Sequence, residues 1–66
     1  MVDVNAFTDR QLEVLRTAYE MGYFDRPRGT NKTAVAGALD VATSTVSDHL
    51  AAAEHKLLEA IFGPDD

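Results

Sequence analysis

The sequence predicts an all-α fold of three helices, the last more than twice as long as the one before it. Three observations carry this. Apolar residues recur at three- and four-residue spacing along most of the chain. Gly and Pro gather mainly in a connector at 22–29 and near the end at 63–64. No run alternates apolar and polar residues as a half-buried strand would. A chain of 66 residues makes a single domain, here spanning 1–66, near the small end of what folds without staples. With no cysteine there is neither a disulfide framework nor a Cys-based zinc site, and three Phe, two Tyr and no Trp make a thin core.

The first helix is expected from about Asp9 to Met21. Thr8 and Gln11 have the spacing of a capping box, Phe7 is placed to staple against Leu12, and Asp9 sits where the helix dipole favours an anion. Leu12, Leu15, Ala18, Tyr19 and Gly22 form the expected inward stripe, with Arg16 and Glu20 paired at i,i+4 on the outside. Gly22 is a natural stop.

The connector GYFDRPRGT follows, broken by Pro27 and Gly29, with Tyr23 and Phe24 expected to plug the core. Arg26, Arg28 and Lys32 put half of the chain's six cations within seven positions. They read either as a solvated loop or as a phosphate-contacting patch.

Asn31 can cap a second helix over about 32–39, with Val35, Ala36 and Leu39 inward, and Asp40 and Val41 form a tight turn. The third helix then runs from about 43 to 62, roughly 30 Å at ~1.5 Å per residue. Gly63 and Pro64 end it, and the final GPDD reads as a frayed acidic end. A short helix, a turn of three or four residues and a longer helix is the helix-turn-helix plan. Ala36 supplies the small residue at the close crossing. Asp40 stands where the turn needs a left-handed residue, and Val41, Val46 and Leu50 are apolar where packing asks for it.

Three blocks are more specific than this pattern: TDRQLEVLRTAYEMGYFDRPR at 8–28, VAGALDVATSTVSDHL at 35–50 and AEHKLLEAIF at 53–62. With them the stretch from about Thr8 to Phe62 resembles the helix-turn-helix domain of the bacterio-opsin activator family of halophilic archaea. The resemblance implies a DNA-binding module of a transcription regulator. In that family the domain usually ends a longer regulator behind sensory domains, so this chain is either an excised domain or a small regulator of its own. It departs from the pattern in three places: Asp40 for a turn Gly, Ala42 for a capping Ser, and Thr33 and Ala34 for first-turn acids. Capping of the third helix then passes to Thr43 or is lost, at a cost of about 1 kcal/mol.

In such a motif the N-terminal part of the last helix enters the major groove. With Val46, Leu50, Ala53 and Leu57 as the buried stripe, steps of about 100° place Ser44, Asp48, Ala51 and His55 opposite. Thr43, Thr45 and Ser47 flank that face, so the expected base-contacting set is Thr43, Ser44, Thr45, Ser47 and Asp48. Arg26, Arg28 and Lys32 are the expected phosphate contacts. No Lys or Arg falls between residues 33 and 55.

Charge argues the other way. Eleven Asp and Glu against six Lys and Arg give a net −5, where nucleic-acid binders are usually basic. Either the partner is not DNA, or the chain works in high salt, where long-range attraction is screened. A surplus of acids with only Lys32 and Lys56 as lysines suits the second reading. The alternative is a helix-turn-helix-fold interaction or dimerisation module that does not bind DNA. The apolar residues left on another face of the third helix, Leu58 and Phe62 with Ile61 beside them, predict a homodimer interface, unless they pack within the monomer against Tyr23 and Phe24.

Other classes fit poorly. Ser47, Asp48 and His49 are triad residue types, but consecutive helical side chains diverge by about 100° and cannot converge, so no enzyme is expected. His49 and His55 are not at metal-ligand spacing, and no cofactor or small-molecule site is evident. No stretch reaches the ~20 apolar residues of a membrane span and no signal segment opens the chain, so a soluble, cytoplasmic protein is expected.

Overall fold

A computed structural model of the chain describes residues 4–63. The order is a 3-10 turn at Val4–Ala6, then α1 (Asp9–Glu20), α2 (Lys32–Leu39) and α3 (Thr43–Phe62), each helix packed against the other two. The bounds of α2 and α3 are those the sequence predicts, and α1 ends one residue early, with Met21 as its C-cap. Of the expected frayed end at 63–66, Gly63 is described, its N–H donating to Glu59 O at 2.8 Å, and 64–66 lie outside the described residues.

The capping box forms as expected. Thr8 Oγ1 accepts from Gln11 N at 3.1 Å, and Thr8 N donates back to Gln11 Oε1 at 3.1 Å. Asn31 Oδ1 caps α2, accepting from Ala34 N at 2.8 Å. Ala42 leaves α3 without a side-chain cap, so the loss expected there is real.

Both of the first two helices stop in the same way. Gly22 (φ 86°) follows α1, with Tyr23 N donating to Ala18 O and Gly22 N to Tyr19 O. Asp40 (φ 58°, ψ 47°) follows α2, with Val41 N donating to Ala36 O and Asp40 N to Gly37 O. This six-to-one and five-to-two pairing is the Schellman motif, in which the residue after the left-handed one packs back on the helix. Tyr23 and Val41 both do so, one buried and the other partly buried against the core. The Gly22 carbonyl also accepts from Asp25 N and Gly29 N, which closes the connector on itself.

The core joins Val14 and Ala18 of α1, Tyr23, Val35 and Ala36 of α2, and Val46 and Leu50 of α3. Phe7 and Ala53 are buried as well. This corrects the expected α1 stripe. Val14, outside that stripe, is fully buried, whereas Tyr19 is 70% exposed and Leu12 and Leu15 are half-buried. The meeting line of three helices is narrow, so small side chains one turn apart fill it and larger ones are turned to its edge. Phe24 is likewise 43% exposed rather than in the core, its ring edge-on to Tyr23 at 5.1 Å. Arg16 and Glu20 do not pair; the ion pairs among the described residues are Arg10–Glu13 at 2.7 Å and His55–Glu59 at 3.4 Å, the latter only when His55 is protonated.

Candidate nucleic-acid interface

The α2–turn–α3 unit is set by its buried side. Ala36, almost completely buried, lets the two helices cross closely, and Val46, Leu50 and Ala53 turn one stripe of α3 to the core. The first half of α3 is thereby fixed with its other side outward. Thr43, Ser44 and Asp48 are exposed, and Thr45 and Ser47 are half-buried at the flanks. None of these five side chains makes a hydrogen bond or ion pair among the described residues. Four hydroxyls and a carboxylate are therefore free to meet a ligand, one end of the set giving donors and acceptors and the other acceptors only.

The cations of the connector are exposed, and none of Arg26, Arg28 and Lys32 is ion-paired among the described residues. Arg28 has an internal partner of another kind. Its guanidinium carbon lies 4.4 Å from the centre of the Tyr23 ring, a cation–π contact. Lys32 opens α2, immediately after the capping Asn31.

Lys56 is the functional-looking cation that sequence reasoning passed over. Its ammonium donates to Ala6 O and, at 2.8 Å, to Gln11 Oε1, and lies 5.6 Å from the Phe7 ring centre. It ties the entry to α1 onto α3 and is spent on the fold. The available signal was its place three residues after buried Ala53, where a long stem can lie along the packed face and carry its charge to the edge.

Residues 7–59 match the model of a family described as a helix-turn-helix DNA-binding domain, a span that takes in α1, α2, the turn and most of α3. The chain belongs to that family. This helix-turn-helix domain is 57% identical over 61 residues to a transcriptional regulator named NarO of Haloferax volcanii, covering 92% of this chain and 29% of that protein. It is 45% identical over 58 residues to a bacterioopsin transcriptional activator of Halobacterium salinarum, covering 88% of this chain and 9% of that one. A dimethyl sulfoxide reductase transcriptional activator of the same organism is 38% identical over 61 residues, with 92% of this chain and 27% of that protein covered. The resemblance carried by the three sequence blocks is thus borne out. The chain spans less than a third of the length of these curated relatives. No solved structure matches it.

Among the described residues no group of three or more His, Asp or Glu side chains is placed to hold a metal ion, and no helix is long and apolar enough to cross a membrane.

Proposed function

We propose that this domain is the DNA-reading part of a cytoplasmic transcription regulator, acting by binding and not by catalysis. α3 lies in the major groove with Thr43, Ser44, Thr45, Ser47 and Asp48 toward the base edges. Arg26, Arg28 and Lys32 rest on phosphates and set the register. Two copies pair through Leu58, Ile61 and Phe62, so that the preferred site is a pair of half-sites related by a two-fold axis.

The observation that carries this reading is the family match over α2, the turn and most of α3, together with the five unengaged polar side chains at the start of α3. The relatives, regulators and activators of transcription from halophilic archaea, support the regulatory role. They also support high salt as the working condition for an acidic reader. Pairing is supported by Leu58, Ile61 and Phe62, which are 54%, 64% and 79% exposed. One head without a single Lys or Arg between 33 and 55 gains the most from a second.

The test is selection of preferred duplexes from a random pool by the wild type, Ser44→Ala and Asp48→Ala, with binding to selected and scrambled duplexes compared at several potassium chloride concentrations. The wild type should prefer its selected site at least tenfold, and each variant should select an altered motif. An unchanged motif for both variants would remove α3 as the reading face. No binding to any duplex while the chain is folded would remove the DNA-reading role.

A further inference from the structure

An open apolar groove runs between α1 and α3, walled by Leu12, Leu15, Tyr19, Phe24 and Leu57, with Arg16 and Glu54 on its rim. Nothing among the described residues fills it, and neither Arg16 nor Glu54 has an ion-pair partner there. Exposed apolar surface continues beyond it along α3. Leu58 follows Glu54 by four residues and Ile61 follows Leu57 by four, so Leu58 and Ile61 stand one turn further along the same side, with Phe62 next to them. A hollow and a ridge therefore form parts of one face.

We propose that this groove is the seat of a second copy of the chain: the Leu58–Ile61–Phe62 ridge of each copy enters the groove of the other, and Arg16 of each pairs with Glu54 of the other. The proposal rests on the pairing put forward above and names the surface that receives the ridge. Three features select a second copy as the occupant. A face that carries both hollow and ridge is self-complementary about a two-fold axis, which is what an isologous dimer requires. The rim bears one unpaired charge of each sign, and a two-fold axis brings unlike charges together twice. The area also suffices. Taking roughly 200 Å² for a whole aromatic side chain, the exposed parts of Tyr19, Phe24 and Phe62 leave about 380 Å². Leu58 and Ile61 bring this to on the order of 600 Å² per copy, matching the ~1,200 Å² at which stable interfaces begin. The ridge belongs to the last turns of α3 and the reading residues to its first two, so pairing leaves the reading face open.

Sedimentation equilibrium of the 66-residue chain at high micromolar concentration, in salt where circular dichroism shows it folded, tests this. The wild type should be a dimer. Tyr19→Glu, at an exposed position, should weaken dimerisation at least tenfold and leave the helical signal intact. Arg16→Glu and Glu54→Arg should each weaken it alone, and an equimolar mixture of the two should recover it, because a mixed dimer has unlike charges at both contacts. A dimer broken by Phe62→Glu but indifferent to Tyr19→Glu and to both charge changes would keep the pairing and overturn the groove as its seat. A monomeric wild type would overturn both.

Discussion

Lys56 of α3 donates to the same Gln11 Oε1 that accepts the Thr8 backbone N–H, so the N-terminal cap of α1 and the far helix share one oxygen. Lys56→Met keeps the stem and removes both of the ammonium's hydrogen bonds, while Gln11 still closes the cap. The expected cost is about 1–2 kcal/mol, at the charge-assisted end of hydrogen-bond values and discounted for partial exposure. In a domain this small that is a fall in melting midpoint of roughly 5–15 °C. Combining Lys56→Met with Gln11→Ala in a thermal double-mutant cycle should show non-additivity, and strict additivity would mean that the two are not coupled.

Asp40 and Gly22 occupy equivalent places in two Schellman motifs, one strained and one not. Asp40→Gly should therefore stabilise the domain by about 0.5–1 kcal/mol, since it relieves a left-handed Cβ and removes an anion from the negative end of α2. Gly22→Ala should do the reverse by about 1–2 kcal/mol, because its Cβ would also come within 3.0 Å of Asp25 Oδ2. Urea unfolding of both variants decides this, and a destabilised Asp40→Gly would show that the carboxylate has a role beyond the turn.

Salt should stabilise the fold by screening. Eight of the eleven carboxylates and all six cations fall within 4–63, so the body carries part of the net −5 and the two ends the rest. Between ~0.1 and ~1 M salt the Debye length falls from about 10 to 3 Å, and the melting midpoint should rise by several degrees, similarly in sodium and potassium chloride. A midpoint that stays level or falls would count against self-repulsion as a limit on stability.

Arg26→Ala and Lys32→Ala should weaken binding about equally on preferred and scrambled duplexes, each lowering the salt slope of log K by roughly one. Arg28→Ala should do the same and also lower the melting midpoint slightly, because its guanidinium rests on Tyr23. Arg28→Lys should restore much of the affinity. A change of preferred sequence in any of the three would reassign that residue to base reading.

Val14→Ala should cost on the order of 2 kcal/mol and Tyr19→Ala less than about 0.5, the opposite of what side-chain size suggests. Equal losses in thermal melts, run dilute enough for the chain to be monomeric, would contradict the packing of α1 described above.

The helix bounds, the capping box, the left-handed Asp40 and the Val46–Leu50–Ala53 part of the expected α3 stripe were legible because each rests on chemistry within a few residues; Leu57, expected to complete that stripe, is only partly buried and lines the open groove. The centre of the buried side of α1 was not. Apolar residues at 12, 14, 15, 18, 19 and 21 spread over about half of the helix circumference, so periodicity allows several centres. Bulk favours Leu12 and Tyr19, whereas a close three-helix crossing selects Val14 and Ala18. Tyr23 and Phe24 were indistinguishable for a related reason. Only the hydrogen bond from Tyr23 N to Ala18 O decides which ring folds back. In the site, the free hydroxyls of α3 could be read from spacing, but the commitments of Arg28 to a ring and Lys56 to a distant cap depend on contacts that no local pattern encodes.

α3 runs without a break from Thr43 to Phe62, and that continuity has a mechanical result. Its polar start and its apolar end are two marks on one rigid rod, separated by a fixed rise and a fixed rotation. Inserting one residue between Ala51 and Leu57 would push the far mark on by ~1.5 Å and swing it by about 100°. Such an insertion alters no side chain at either end, yet it puts the two out of phase. The middle of α3 should therefore accept substitutions at its exposed positions far more readily than changes in length.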